Sequence, residues 1–175
     1  MNTSRKLVLT AAACAAALSI ASPAQAASAL QKFGTGDVII TGSSVTIAND
    51  AGEYGGVYLK SKSASGKKLS AVDFSFANAG DVGGGAPRFS LPIDTDNNGT
   101  TDGYAFIDVN SCGGAALVST DSPTSQVYFG SDAAYANWNE FTAAHPTWRS
   151  APGDTPFVIA DVAGSYSVTD VSLRQ

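Results

Sequence analysis

Asp94, Asp96, Asn98 and Asp102 stand at the first, third, fifth and ninth places of one nine-residue stretch, with Gly99 at the sixth. Glycine at that place allows the sharp bend that brings alternate side chains together. Every donor is a hard oxygen, and the backbone carbonyl of Thr100, at the seventh place, adds one more. Such a set suits Ca²⁺, which takes six to eight oxygens, and three carboxylates in one bend repel each other unless a cation lies between them. The expected ligands are Asp94, Asp96, Asn98, Thr100 and Asp102. The ion would be structural, because extracellular modules bind calcium with dissociation constants of roughly 10⁻⁴ to 10⁻³ M. A polar hairpin turn would use the same residues, since Asn98-Gly99 and Asp102-Gly103 are both turn dipeptides.

These residues resemble the first nine positions of an EF-hand loop. More closely they resemble the calcium loops of integrin-α FG-GAP repeats, in which the same spacing joins two strands. The twelfth place, a bidentate Glu in the EF-hand, is Ala105 here, and the flanks RFSLPI and GYAFIDV are strand-like. A β-hairpin site therefore fits better than a helix-loop-helix. Asp108 lies six extended residues beyond Asp102, about 20 Å away at the usual strand rise, so a further ligand must be water or another loop, such as the one carrying Asp81.

The elements that must hold this loop are short runs rich in Val, Ile, Tyr, Phe and Thr, separated by Gly, Asn, Asp and Ser. About nine strands are expected, at 38–41, 44–48, 56–60, 69–77, 88–93, 104–109, 126–129, 156–161 and 166–173, with a short tenth candidate at 116–119. In 69–77, Val72, Phe74 and Phe76 share one face while Ala71, Asp73, Ser75 and Ala77 share the other, so one side meets a core and the other stays wet. The expected fold is all-β: one antiparallel β-sandwich, jelly-roll-like, with one short helix. That helix is placed at 133–144, where Tyr135, Trp138 and Phe141 recur at helical spacing. Ser131 or Asp132 would cap it, and Pro146 opposes its continuation.

Residues 1–26 have a basic start at Arg5 and Lys6, an apolar run and Ala24-Gln25-Ala26, the pattern of a cleaved export signal. The expected organisation is signal peptide 1–26 and sandwich domain 27–175. The destination is secreted or extracellular, with periplasm or cell wall as alternatives. Losing Arg5 and Lys6 takes the formal charge from −5 to −7, which disfavours nucleic acid and anionic membranes as partners. Cys14 leaves with the signal, so Cys112 has no partner within the chain. It is expected as a buried thiol in a monomer, or as the link of a covalent dimer.

Catalytic constellations are sparse. His145 is the one histidine, placed beside Pro146 where a helix-end role is favoured over proton shuttling. No HExxH or CxxC motif occurs, and an Asp-dependent hydrolase is the least favoured alternative. Residues 155–173, ending Asp170-Val171-Ser172-Leu173, resemble the closing strands of jelly-roll carbohydrate-binding modules. That resemblance implies noncatalytic recognition of polysaccharide or cell wall, with Tyr54, Tyr58, Trp138 and Trp148 as candidates to stack on sugar. The rival is a secreted structural or surface-associated protein with no small ligand.

Overall fold

The structure is a computed structural model that describes residues 30–60, 62–110, 113–114, 117–130 and 134–174. Residues 1–26, expected from sequence to be an export signal, Cys112 and the expected cap residues Ser131 and Asp132 lie outside the described residues. Twelve strands are formed among those described: β1 (Leu30–Gly34), β2 (Asp37–Thr41), β3 (Ser44–Asn49), β4 (Gly55–Leu59), β5 (Asp73–Asn78), β6 (Arg88–Asp94), β7 (Gly103–Asp108), β8 (Leu117–Ser119), β9 (Tyr128–Phe129), β10 (Arg149–Ser150), β11 (Phe157–Ala160) and β12 (Gly164–Arg174). One helix, α1, spans Trp138–Ala144.

The strands make two antiparallel sheets. One is ordered β2-β3-β12-β5-β8; the other is β1-β4-β11-β6-β7-β9, with β10 also paired to β6. The pairs nest, β3 with β12, β4 with β11, β5 with β8 and β6 with β7, and successive pairs fall in alternate sheets. First-with-last nesting of eight strands between two sheets is the jelly-roll arrangement, so the expected all-β sandwich is the fold observed.

Alternation fills the space between the sheets. Val45, Ile47, Phe74, Phe76, Tyr166 and Val168 project inward from one; Val57, Leu59, Phe89, Leu91, Ile93, Ile107 and Val158 come from the other, all buried. Phe74 on β5 stacks on Phe89 on β6 with centroids 3.5 Å apart and ring planes 9° from parallel, joining the sheets. Full burial of each such side chain contributes about 1.5–3 kcal/mol.

Besides the two-residue β10, for which no strand was expected, three elements depart from the expected pattern. β1 was not anticipated because Leu30 and Phe33 fall on opposite faces and the strand is half-exposed; it is an edge strand held by its ladder to β4. Residues 69–71 turn as a 3₁₀ helix, Leu69–Ala71, before β5 begins. There the Leu69 carbonyl accepts both the Val72 N–H at 3.0 Å and the Trp138 indole N–H at 3.2 Å. The helix starts five residues later than 133, since Tyr135 exchanges two backbone hydrogen bonds with Val127 at 2.9 and 3.0 Å. Asn137 is the cap, accepting the Glu140 N–H at 3.0 Å, an arrangement worth about 1 kcal/mol. Among the described residues no helix is long and apolar enough to cross a membrane.

Candidate functional site

β6 and β7 pair from Arg88↔Asp108 to Ile93↔Gly103, and the chain between their ends is the Asp94 to Asp102 loop. The Asp102 N–H closes it onto the Ile93 carbonyl at 2.8 Å. Asn97 and Gly99 take positive φ values of 63° and 89°, the left-handed conformation that Asn and Gly tolerate best. Asp94 is 3% exposed. Its two carboxylate oxygens accept the Asn98 N–H at 3.1 Å and the Gly99 N–H at 2.8 Å. Asp96 accepts the Asn98 N–H at 3.1 Å, and Asp102 Oδ2 accepts both the N–H and the hydroxyl of Thr95 at 2.7 and 2.6 Å.

Asp94, Asp96 and Asp102 thus converge, with an oxygen of each within 4.8 Å of the others, and the group can hold a metal ion. An ionised carboxylate has about four lone-pair sites, so the backbone N–H groups that aim these oxygens leave acceptor capacity on each. Asn98, expected as a fourth ligand, turns its amide nitrogen toward Asp96 at 3.0 Å and its oxygen toward the Thr100 N–H at 2.8 Å. Asp81 does not join the group. Its carboxylate accepts the Ser165 N–H at 2.9 Å at the end of the sandwich where β6 begins, about 20 Å along that strand from Asp94.

The Thr95 hydroxyl, then its backbone N–H, hold the Asp102 carboxyl below the usual carboxylate range, outweighing the upward pull of desolvation. Because the folded value is the lower one, the interaction is fully present above the unfolded value of about 3.9 and is lost as pH falls through the folded one. In calcium-free buffer Thr95→Val is expected to raise the Asp102 pKa, read by NMR titration of its carboxyl carbon; an unmoved midpoint would contradict the assigned cause.

A second feature shares this face. On β6, Asp94 has the parity of Pro92, Ser90 and Arg88, whose side chains lie on the outer surface of the larger sheet, away from Phe89, Leu91 and Ile93. Across that surface the register aligns Tyr58, Phe157, Ser90, Phe106 and Tyr128 in one lateral row, about 19 Å long at the usual strand spacing. Tyr104 meets Phe157 with centroids 5.6 Å apart, so these rings lean together across β6, above the buried Ser90 and Pro92. Phe33 extends the strip, 4.4 Å from Tyr58. All these rings keep part of their surface in solvent. Lys60 sits 5.1 Å from the Tyr58 ring centre and Arg88 5.4 Å from that of Phe106.

Two hollows open on the strip. One of about 490 Å³ lies among Tyr58, Lys60, Tyr104, Asp154 and Phe157; the other, of about 390 Å³, among Arg88, Phe106, Asp108 and Tyr128. Burial first, then the negative charge of Asp154, pushes the Tyr104 hydroxyl above its ordinary pKa, so it is a hydrogen-bond donor at neutral pH. The loop carrying Asp154 also borders the Asp94 to Asp102 loop, because a Cβ placed on Gly153 would lie 3.7 Å from the Gly99 carbonyl oxygen. Acidic loop and aromatic strip are therefore neighbours.

Of the four aromatics expected to stack on sugar, Tyr58 lies in this strip, and Tyr54, 44% exposed, stands at its margin 6.5 Å from Phe33. Trp138 and Trp148 do not belong to it. Trp138 is 3% exposed, part of the core. Trp148 has one face stacked on His145 at 3.5 Å and packs on Phe129 at 4.8 Å. His145 caps the helix through its N–H to the Phe141 carbonyl and its ring bonds the Tyr135 hydroxyl at 2.8 Å. Tyr104, Phe106, Tyr128 and Phe157 were not singled out from sequence, although GYAFID carries a signal for two of them. Its small and aliphatic residues, Ala105 and Ile107, fill one face, and Tyr104 and Phe106 occupy the other. Compared with known protein families the chain matches none, and no curated protein matches its sequence.

Proposed function

We propose that the chain is an exported, noncatalytic, calcium-stabilised sandwich that binds polysaccharide on the outer face of its larger sheet. The observation that carries this reading is the strip of partly exposed rings from Phe33 to Tyr128 along one register row and its flanks. Sugar rings present apolar C–H faces and hydroxyl rims. Aromatic side chains match the first, and polar groups set among them, here Lys60, Arg88, Asp154 and the Tyr104 hydroxyl, match the second. A soluble domain otherwise gains little by placing so many rings in water.

Calcium is the ion proposed for the loop. Its ligand distances of 2.3–2.6 Å place opposed oxygens up to about 5 Å apart, compatible with carboxylates grouped within 4.8 Å. Asp94, Asp96 and Asp102 would ligate it, with Asn98 and the Thr100 carbonyl completing the set. Affinity electrophoresis through cellulose derivatives, xylan, soluble chitin and peptidoglycan fragments, in millimolar calcium, tests the proposal. Retardation by at least one polymer is expected, and unretarded migration through all would reject polysaccharide binding.

A further inference from the structure

The aromatic strip borders a cationic bank. A third hollow, of about 330 Å³, lies among Lys60, Lys62, Ser65, Ser150, Asp154 and Thr155. It shares Lys60, Gly153, Asp154 and Thr155 with the hollow of about 490 Å³ beside Tyr58 and Phe157, so the two form one trough with rings at one end and ammonium groups at the other. Both lysines are exposed. Neither pairs with a carboxylate of a described residue, Asp154 included; the ion pairs formed there are Arg88 with Asp161 and Arg174 with Asp73. Five of the eight Lys and Arg in residues 27–175 fall on this side: Lys60, Lys62, Lys67, Lys68 and Arg149. Their segments are joined, since Lys68 bridges Arg149 and the Ser150 N–H donates to the Lys67 carbonyl at 2.9 Å. The hollow at the far end of the strip differs. Its cation, Arg88, is already neutralised by two hydrogen bonds to Asp161, at 2.8 and 2.6 Å.

We propose that this trough selects anionic polysaccharide, a sugar ring lying on Tyr58 and Phe157 while its carboxylate or sulfate ester meets Lys60 and Lys62. The inference rests on the polysaccharide reading above and names the class of polymer. Lys60 Nζ stands 5.1 Å from the Tyr58 ring centre, so positive charge adjoins the stacking face itself. A charged substituent on a stacked ring meets it at the ring's rim. Lysines left unpaired on one bank of an otherwise acidic chain steer an anion to that bank and fix which way the polymer lies. Asp154 opposes this, but the two ammonium groups outnumber it and leave the trough with a charge of +1, matching one monoanionic group per sugar. Nucleic acid fits less well. Its phosphates call for a broad positive field, and the acidic residues of the Asp94 to Asp102 loop interrupt this one beyond Gly153.

Affinity electrophoresis through polymers that share a backbone and differ in charge tests the selection. Hydroxyethylcellulose is compared with carboxymethylcellulose and cellulose sulfate, and methyl-esterified polygalacturonate with its free acid. Millimolar calcium is kept present, because the carboxylates of the neighbouring loop repel an anion within a Debye length of roughly 8–10 Å. At least one anionic polymer is expected to bind about three- to tenfold more tightly than its neutral counterpart, the scale of two exposed charge contacts. The stronger of the carboxylate and sulfate arms identifies the group. Lys60→Gln with Lys62→Gln, exposed positions whose folding is checked by circular dichroism, should abolish that preference. Lys32→Gln, outside the trough, should keep it. Three results would overturn the inference while leaving polysaccharide binding intact: neutral polymers bound as tightly as anionic ones, a preference that survives in the double lysine variant, or single-stranded DNA retarding the protein as strongly as the anionic polymers do. Unretarded migration through every polymer would instead reject the polysaccharide reading, and this inference with it.

Discussion

Asp94→Ala is expected to lower stability by about 3–4 kcal/mol in calcium, a fall in melting temperature of roughly 6–16 °C for a domain of this size. Two contributions combine. The Asn98 and Gly99 N–H groups lose a charged acceptor in a nearly buried position, worth about 1.5–3 kcal/mol. The calcium proposed for the loop would no longer favour the folded state, and at ten times its dissociation constant that linkage is worth about 1.4 kcal/mol. Differential scanning calorimetry with calcium and with EGTA separates them. The EGTA-induced shift should shrink in Asp94→Ala by the second amount, while the first persists in both buffers. A calcium response as large in the variant as in wild type would show that the loop is a plain turn.

Tyr58→Ala combined with Phe157→Ala is expected to weaken the proposed polysaccharide binding by about thirtyfold or more. Truncating central aromatic anchors of a binding surface costs about 2 kcal/mol or more, and about 1.4 kcal/mol is a tenfold change. The pair is central because the two rings flank the larger hollow and touch, with centroids 6.2 Å apart. Both side chains point away from the core, so unfolding is not expected. Tyr54→Ala, at the margin, should change affinity less than threefold by the same scale. Affinity within threefold of wild type in the folded double variant would remove the strip as the binding surface.

Much of this architecture was legible because strand alternation is a local property. Val72, Phe74 and Phe76 announce a one-sided strand, and the spacing from Asp94 to Asp102 announces a turn whose carboxylates meet. The nesting that makes a jelly roll is not local; it depends on which strands pair across more than a hundred residues, as β3 does with β12. The aromatic strip was hidden for the same reason. Tyr58, Phe157, Phe106 and Tyr128 come from four separate strands and become one surface only through register. Trp138 and Trp148 drew attention by residue type, but burial follows from where the helix docks, and it docks on Leu69 through the Trp138 indole.

The most direct measurement is chemical-shift mapping of labelled protein titrated with the oligosaccharide of whichever polymer retards it, in millimolar calcium. Shifts are predicted to concentrate on Tyr58, Tyr104, Phe106, Tyr128 and Phe157, with the inward-facing Phe74 and Phe89 unmoved. Shifts confined to the outer face of the smaller sheet, or none at saturating sugar, would contradict the account.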